Sequence, residues 1–582
     1  MEPAAPPSDF RVGDWLVEPG LNRVTRGQQV QHLRPRLLDL LGYLAPHAGR
    51  VVTKDEILER VWRQRFVAES VLSRSVADIR RLLDDEASQP RVIETIPKRG
   101  YRLLARVTPF QPRPAATPVP APPRPSIVVL PVLDLAPGRD QEYFCDGLAE
   151  ELTNRLAHLR GLRVVARTSA FAFKGKAADA REIGRRLEVG ALLEGSVQRA
   201  GDRVRVTVQL IDAQDGGHIW SGRFDRPGGD IFAIEDEIAQ AVTSELRVKL
   251  LGGAEARVTH RQTSDPAAHD LYLRGRHRAA RRNLEDLEQA IRCYERAIAL
   301  DPGYAAAHAG IGECFCVIGF SGLRRPADVF PTGRAAAERA LAIDPGLVEG
   351  HAVLAHEAGM YEWDWARAER HFVRALELSP GYALTRVWYS HLLSAFGRFE
   401  EAITQAERAC ECDPLAPTVR MTLGLALYYA RQFDRAVDCY RQVLATDPSF
   451  GFARFHLGRA YRAQGKFDAA AEQYRLVTTV MPIAFGMLAG VLRSLGRDEE
   501  AARAAAELER FAKTRYVNAL GFASAYWTEL PRRLRWLERA FDEREGTVPL
   551  LNVDPALDDL RSTPAFVALL DRLGLPRVER SA

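Results

Sequence analysis

Cysteine is scarce in this sequence, charge of one sign is nearly balanced by the other, and no long apolar run occurs. Seven cysteines in 582 residues are an odd number and far too few for a disulfide framework. The close pairs Cys314-Phe-Cys316 and Cys410-Glu-Cys412 lie in helical patterns, where residues two apart point about 200° apart. No nearby histidine completes a tetrahedral set at finger-like spacing, so no metal is expected. Cysteine used this way fits a reducing cytoplasm. The densest apolar run outside the helical repeats, residues 127–135, is interrupted by Pro131 and Asp134. It falls far short of the roughly 20 residues a membrane span needs. The N-terminal MEPAAPPSDF has neither the basic start nor the apolar core of a secretory leader. A soluble, cytoplasmic chain with no membrane partner is the expectation.

Catalytic constellations are absent too. Glu150 and Glu151 are adjacent on a helical pattern and do not converge as an acid–base pair. Lys174-Gly-Lys176 lacks the glycine spacing and the following Ser/Thr of a phosphate loop. No Ser/His/Asp set stands out. No catalytic residue, no cofactor and no enzymatic activity are expected.

What is present is a multidomain chain with an ordinary globular composition, 46% hydrophobic and 27% charged. Its length calls for three or four cores. Residues 1–107 hold 18 Lys+Arg against 14 Asp+Glu, which accounts for the whole net charge of +4. Within that segment, Leu72, Val76, Ile79 and Leu83 recur at intervals of four, three and four, which predicts a helix over 70–83 with one apolar stripe. Ser70, Arg74, Ala77, Asp78 and Arg81 fall on the opposite face. Asp84-Asp85-Glu86 ends the pattern. Val92, Glu94 and Ile96 alternate up to Pro97-Lys98-Arg99-Gly100, followed by Tyr101 and Leu103, a hairpin with a cationic tip. Such a helix suits the DNA major groove, while Lys98 and Arg99 reach phosphates or a neighbouring minor groove. Tyr101 is placed in packing beneath the hairpin. Residues 10–32 alternate as a small antiparallel sheet with turns at Pro19-Gly20 and Arg26-Gly27. Thr53, three residues before Glu56, starts a capping box, and amides aimed outward there make a phosphate contact an alternative to a plain cap.

These residues together resemble the winged-helix output domain of OmpR/PhoB-type regulators over 9–107. The tail IPKRGYRL resembles the ToxR/CadC branch. LRPRLLDLLGYLA, residues 33–45, resembles the family's first helix, and VVTKDEILERVW, residues 51–62, its second. The resemblance implies that Ser70, Arg74, Ala77, Asp78 and Arg81 face the groove. Arg74 and Arg81 are the candidates for guanine or phosphate contacts. Asp78 departs from the family's commoner basic residue, and its charge repels phosphate but accepts from a cytosine amino group.

Residues 1–8 read as a disordered tail. Eight prolines in residues 108–125 predict an extended, semi-rigid linker. Residues 126–250 read as an α/β unit: strands at 126–133, 162–167, 191–199, 203–212 and 218–224, helices at 147–159, 178–187 and 231–248. QEYFCDGLAEEL and LEGSVQRAGDRVRVTVQLIDAQDGGHIW resemble the TolB-N-terminal-like (FlgO-like) domain, for which no catalytic site transfers.

From residue 262 to 515 a period appears. Prolines 345, 380, 414, 448 and 482 close helical phrases at intervals of 35, 34, 34 and 34, the first interval from Pro302 being 43. Leu423-Gly424, Ala436 and Tyr440 recur as Leu457-Gly458, Ala470 and Tyr474. A 34-residue helix–turn–helix period is the tetratricopeptide signature, whose concave face binds a peptide or protein segment. Trp363, Trp365, Trp388, Tyr389 and Tyr428-Tyr429 either line that face or pack in its core. Residues 516–582 read as the helical cap that ends such an array.

The fold class expected is therefore a winged helix-turn-helix, a small α/β domain and an all-α solenoid. The functional expectation is a sequence-specific regulator binding double-stranded DNA, with the array and the α/β unit sensing or recruiting a partner or ligand. Association of two chains would set two winged helices on half-sites about one helical turn apart. A rival reading makes the chain an interaction scaffold whose winged helix docks protein.

Overall fold

The computed structural model describes residues 10–18, 23–26, 29–33, 35–62, 69–86, 88–109, 125–135, 142–157, 161–176, 178–200, 203–227, 237, 238, 240–242, 244, 263–576 and 578. The tail at 1–8, both turns predicted within 10–32, most of the linker and most of the helix predicted at 231–248 lie outside these residues. The chain divides into two compact units, 1–122 and 123–582.

In the first unit, alternation drives Phe10, Val12, Trp15 and Val17 into the core and leaves Arg11 outside. The strands β1 (Phe10–Val12), β2 (Trp15–Glu18), β3 (Arg23–Arg26) and β4 (Gln29–His32) form an antiparallel sheet in sequence order. A fifth strand, β8 (Val107–Pro109), pairs with β1 through Phe10↔Pro109 and Val12↔Val107. Thr108 and Pro109 are thus part of the domain and not of the linker, a pairing that joins residues about a hundred positions apart.

Helix α1 (Pro35–Leu44) packs Leu37, Leu38, Leu40, Leu41 and Leu44 into the same core. Residues 51–53, expected as the start of the second helix, instead form strand β5 (Val51–Thr53). The helix α2 (Lys54–Ile57) begins one residue later and continues as a π-turn over Leu58–Trp62. The β-branched run Val51-Val52-Thr53 finds a pleated partner in the hairpin, and that pairing overrides helix continuation. Helix α3 (Glu69–Leu82) buries Leu72, Val76 and Ile79, and Leu83 follows in the same stripe. Each such aliphatic side chain contributes about 1.5–3 kcal/mol when fully buried.

In the second unit, β9 (Ser126–Val129) is central, with β11 (Arg163–Val165) and β12 (Ala191–Ala200) parallel to it. The long antiparallel ribbon continues with β13 (Arg203–Asp212) and β14 (His218–Pro227), and the short β10 (Leu133–Asp134) pairs with β12. Ile127 and Val129 face one core with Leu148 and Leu152 of α4 (Glu142–Ala157). Val128 and Leu130 face the other with Ile183 and Leu187 of α6 (Ala180–Leu187). A short helix α5 (Arg167–Phe171), absent from the sequence expectations, succeeds β11.

Paired helices extend from Pro266–Ala279 to Leu530–Asp542. The glycine and tyrosine that mark the period are one device. A Cβ on Gly424 would stand 2.6 Å from the ring of Tyr440, and on Gly458 2.6 Å from that of Tyr474. Glycine lets the fully buried tyrosine lie against the preceding helix. The nine-residue excess in the early repeat is absorbed by longer helices, Ala305–Phe320 and Pro326–Ile343, and by a longer connection between them.

Helices continue past residue 515, where the period fades and a terminal cap was expected. Ala519–Ala525 and Leu530–Asp542 form one more pair. The chain then runs back along the first helices of earlier pairs. Asp554 accepts from Tyr428 Oη (3.0 Å) and Arg459 (2.7 Å), and Asn552 Nδ2 donates to the Ala395 carbonyl at 2.9 Å. Trp365 Nε1 donates to the Leu573 carbonyl at 2.8 Å. First helices such as Ala383–Ala395 and Pro417–Tyr429 are consequently buried nearly all round, with Trp388, Tyr389, Tyr428 and Tyr429 in the core.

The α/β block is joined to the array by buried polar contacts. Asp413 accepts from Ser169 N (3.0 Å) and Ser169 Oγ (2.6 Å), and Ala166 N donates to the Cys412 carbonyl. Glu150 pairs with Arg276 at 2.8 Å, while Glu151 turns to Arg155 at 2.6 Å, so the two glutamates part company. Among the described residues no helix is long and apolar enough to cross a membrane.

Candidate nucleic-acid interface

The outer face of α3 is built by what the inner face must bury. With Leu72, Val76 and Ile79 fixed inward, Ser70, Arg74, Ala77 and Arg81 stand exposed and Asp78 half-buried. Arg74 makes no hydrogen bond or ion pair with another described residue. Arg81 reaches back to Asp78 at only 3.5 Å, with its own side chain 80% exposed. That contact offsets part of the Asp78 charge and leaves four of the five guanidinium donors of Arg81 free for a ligand. Val71, 43% exposed, lies on the same side, and the sequence stripe did not single it out.

The third arginine of the helix does something different. Arg80 donates from Nε (3.1 Å) and Nη2 (2.7 Å) to the Ile93 carbonyl, and from Nη2 to Thr95 Oγ1 at 3.0 Å. It holds the helix against β6 (Ile93–Ile96). Asp85 completes this joint. Its fully buried carboxylate accepts from the amides of Arg91 (2.6 Å), Val92 (3.0 Å) and Ile93 (2.9 Å) and lies 3.8 Å from Arg80. Neither role was read from the sequence, where Asp85 is only one of three acidic residues that end a helix. The offset of six to eight residues from carboxylate to amides carries no periodic signal. Tyr101 is buried as expected, its Oη 3.3 Å from Ser73 Oγ.

The wing comprises β6 and β7 (Gly100–Leu103), with β5 on the far side of β7. Lys98 and Arg99 at its tip are exposed, Lys98 in the left-handed region at φ 61°. Gly100, at φ 156°, permits the close approach of β5: a Cβ there would stand 1.9 Å from the Val52 carbonyl oxygen. Arg102 is cross-strand paired with Glu94 at 2.6 Å and is spent internally. Thr53 lies opposite Gly100 in register, exposed. Its Oγ1 accepts from Glu56 N at 3.2 Å, the expected cap, while the Glu56 carboxylate is taken by Tyr43 and Arg50. Helix face, wing tip and cap thus sit on one assembly tied by Arg80, Asp85 and Tyr101.

Residues 27–103 match the family model described as transcriptional regulatory protein, C terminal. Tetratricopeptide models match residues 280–315 and 421–479. Among curated relatives, "Putative adenylate cyclase 3" of Rhizobium meliloti is 44% identical over 198 residues, 34% of each chain. Transcriptional activator CadC of Escherichia coli is 41% identical over 98 residues, 17% of this chain and 19% of that protein. Transcriptional regulator HilA of Salmonella typhi is 22% identical over 411 residues, 69% of this chain and 70% of that protein. The chain spans about a third and a fifth of the length of the first two. The regulator-type domain coincides with the surface just described: α1, α2, α3 and the wing lie within or end at its matched residues. Among the described residues, no group of His, Cys, Asp and Glu is arranged to hold a metal ion.

Proposed function

We propose that the chain is a transcriptional regulator that binds double-stranded DNA through α3 and the wing, and that its second unit senses or recruits a partner or ligand. The observation that carries this is the division of labour among the basic residues. Arg80 and Arg102 are consumed by internal contacts, whereas Arg74, Arg81, Lys98 and Arg99 are held outward on one assembly. Arg74 and Arg81 contact bases or nearby phosphates in the major groove, with Ser70 and Ala77 allowing close approach. Asp78 faces a cytosine amino group, and Val71 offers an apolar contact for a thymine methyl. Lys98, Arg99 and the hydroxyl of Thr53 serve the backbone. Relatives named as transcriptional activators support the reading.

Residues 126–250 are proposed as a TolB-N-terminal-like block without catalysis, the protein being cytoplasmic and no enzyme. Cyclase activity forms no part of the proposal, since the relative carrying that name is matched over 34% of its length. The partner surface of the array is assigned away from the first helices, which the chain's own residues 545–576 already cover. Two chains on adjacent half-sites complete the picture, with sedimentation on operator DNA as its check.

The test is selection of bound sequences from random duplex DNA by the full-length protein beside the Arg74→Ala/Arg81→Ala variant. Enrichment of a motif by the wild type and its loss in the variant is the expected result. Absence of any motif, with feeble binding even at low salt, would transfer the function to protein docking.

A further inference from the structure

Among the described residues, no earlier pair covers the outer side of the first pair of the array, Pro266–Ala279 and Leu284–Leu300. Helix α4 packs against part of it, with Glu150 on Arg276 at 2.8 Å. Another side carries a groove of about 550 Å³, open to solvent, between the two helices and the turn that joins them. The volume falls within the roughly 300–1,000 Å³ of ordinary small-ligand sites. Arg274, Arg278 and Arg281 follow at intervals of four and three, on one stripe with Ala267, Asp270 and Leu271. From Ala267 to Arg281 that stripe is about 20 Å long. Arg296 and Leu300 line the groove from the second helix.

The groove holds more positive charge than the protein itself answers. Arg274 is matched by Asp270 at 2.8 Å. Arg278 and Arg281 share one carboxylate, Asp286, at 3.3 and 3.6 Å, and Asp286 also receives Asn283 Nδ2 at 2.8 Å. Arg296 makes no hydrogen bond or ion pair with another described residue. Two guanidinium charges are thus left over among the described residues. They stand where like charges three and four residues apart already cost the helix stability. The dipole of Pro266–Ala279 favours cations near its end but does not account for Arg296 on the neighbouring helix. His277 lies among these cations. Burial, and then the charges of Arg167 and Arg281, push its imidazole below the ordinary value, so it is neutral near pH 7 and offers one donor. Ala267 and Leu300 stand at the end of the pair remote from Arg281, with Leu300 49% exposed.

We infer that this groove is a binding site for a small organic phosphate, one phosphate monoester carried on an uncharged, partly apolar body. Such a group carries about −1.5 to −2 charge near pH 7, which matches the two guanidiniums left over. Planar guanidinium forks bind it bidentately. The body runs along Leu271 toward Leu300 and covers apolar surface there. The inference rests on the ligand-sensing role proposed for the second unit and is independent of DNA binding by α3.

Phenyl phosphate, phenyl sulfate and inorganic phosphate are the probes, titrated by calorimetry into the full chain at fixed ionic strength. Phenyl phosphate is expected to bind saturably. Phenyl sulfate, a monoanion on the same ring, and inorganic phosphate, which lacks the ring, should each bind at least fivefold more weakly. Arg296→Gln and Arg278→Gln/Arg281→Gln each lower phenyl phosphate affinity about tenfold. Arg296 has no partner to lose, so its variant keeps the test decisive if the double variant does not fold. Arg292→Gln removes an exposed charge from the same helix outside the groove and leaves affinity unchanged, as does Arg74→Ala/Arg81→Ala. Absence of saturable binding, or equal binding of phenyl sulfate or inorganic phosphate, would overturn the inference. So would an Arg292→Gln loss as large as that of Arg296→Gln, which marks diffuse charge attraction, or a loss confined to Arg74→Ala/Arg81→Ala, which places the anion on the winged helix. Motif selection from random DNA, run in parallel, reads the regulator function by itself.

Discussion

Replacing Asp85 by alanine tests whether the wing is positioned by one buried carboxylate. Three amides converge on it, at 2.6, 3.0 and 2.9 Å, with Arg80 at 3.8 Å. The Arg91 amide is only part-buried and can turn to water, but the amides of Val92 and Ile93 are buried and cannot. Two unsatisfied buried donors cost about 1–3 kcal/mol each, and Arg80 loses the charge nearest it. The total expected is about 3–5 kcal/mol, a large share of the 5–15 kcal/mol typical of a domain. Hydrogen exchange on the full chain reads this directly. Residues 91–93 should lose protection, the first unit should unfold at lower urea, and residues 266–512 should exchange as in wild type. DNA affinity should fall as well, although Asp85 touches no DNA, because the wing is no longer held to α3. Unchanged exchange at residues 91–93, with a stability loss below about 1 kcal/mol, would refute the reasoning.

Arg74→Ala/Arg81→Ala should lose motif selection, whereas Lys98→Ala/Arg99→Ala should weaken all sequences alike and flatten the salt dependence of binding, both read by fluorescence anisotropy across a salt series. Burial pushes the Asp413 carboxyl up from 3.8 to about 6 despite its bonds from Ser169, so the folded state holds a proton the unfolded chain has released. Its contribution to stability is fully present below pH 3.8 and lost as pH rises through 6. The loss is of order 2–3 kcal/mol, and urea melts of Asp413→Asn should lack that part of the slope. Asp554→Ala should destabilise the second unit by about 3–5 kcal/mol, because it strands the buried Arg459, and should release residues 548–571 to proteolysis.

Several features were legible from the chain alone because they are local. The interval of Leu72, Val76, Ile79 and Leu83 determined which side of α3 is outward, so Ser70, Arg74, Ala77 and Arg81 could be named without coordinates. The recurrence of Gly424 and Tyr440 at Gly458 and Tyr474 determined the solenoid, since each pair meets within a single repeat. The strand pattern of residues 191–224 determined the antiparallel ribbon to within a few residues.

What tertiary structure decided are the pairings between distant segments, which leave no period to read. β5 is a strand only because β7 is beside it, and β8 joins the first sheet because β1 offers an edge. Arg80 and Arg81 are neighbours in sequence, yet 100° of helical rotation sends one to the wing and the other to solvent. Ser169 meets Asp413 across 244 positions and Tyr428 meets Asp554 across 126. The first helices carried one hint: a stretch such as LGLALYY, residues 423–429, is apolar on every side, and a helix of that kind must be covered all round. The sequence determined that a cover was needed. Only the folded chain shows that residues 545–576 provide it, because burial of those faces is satisfied by whichever segment the connections allow to reach them.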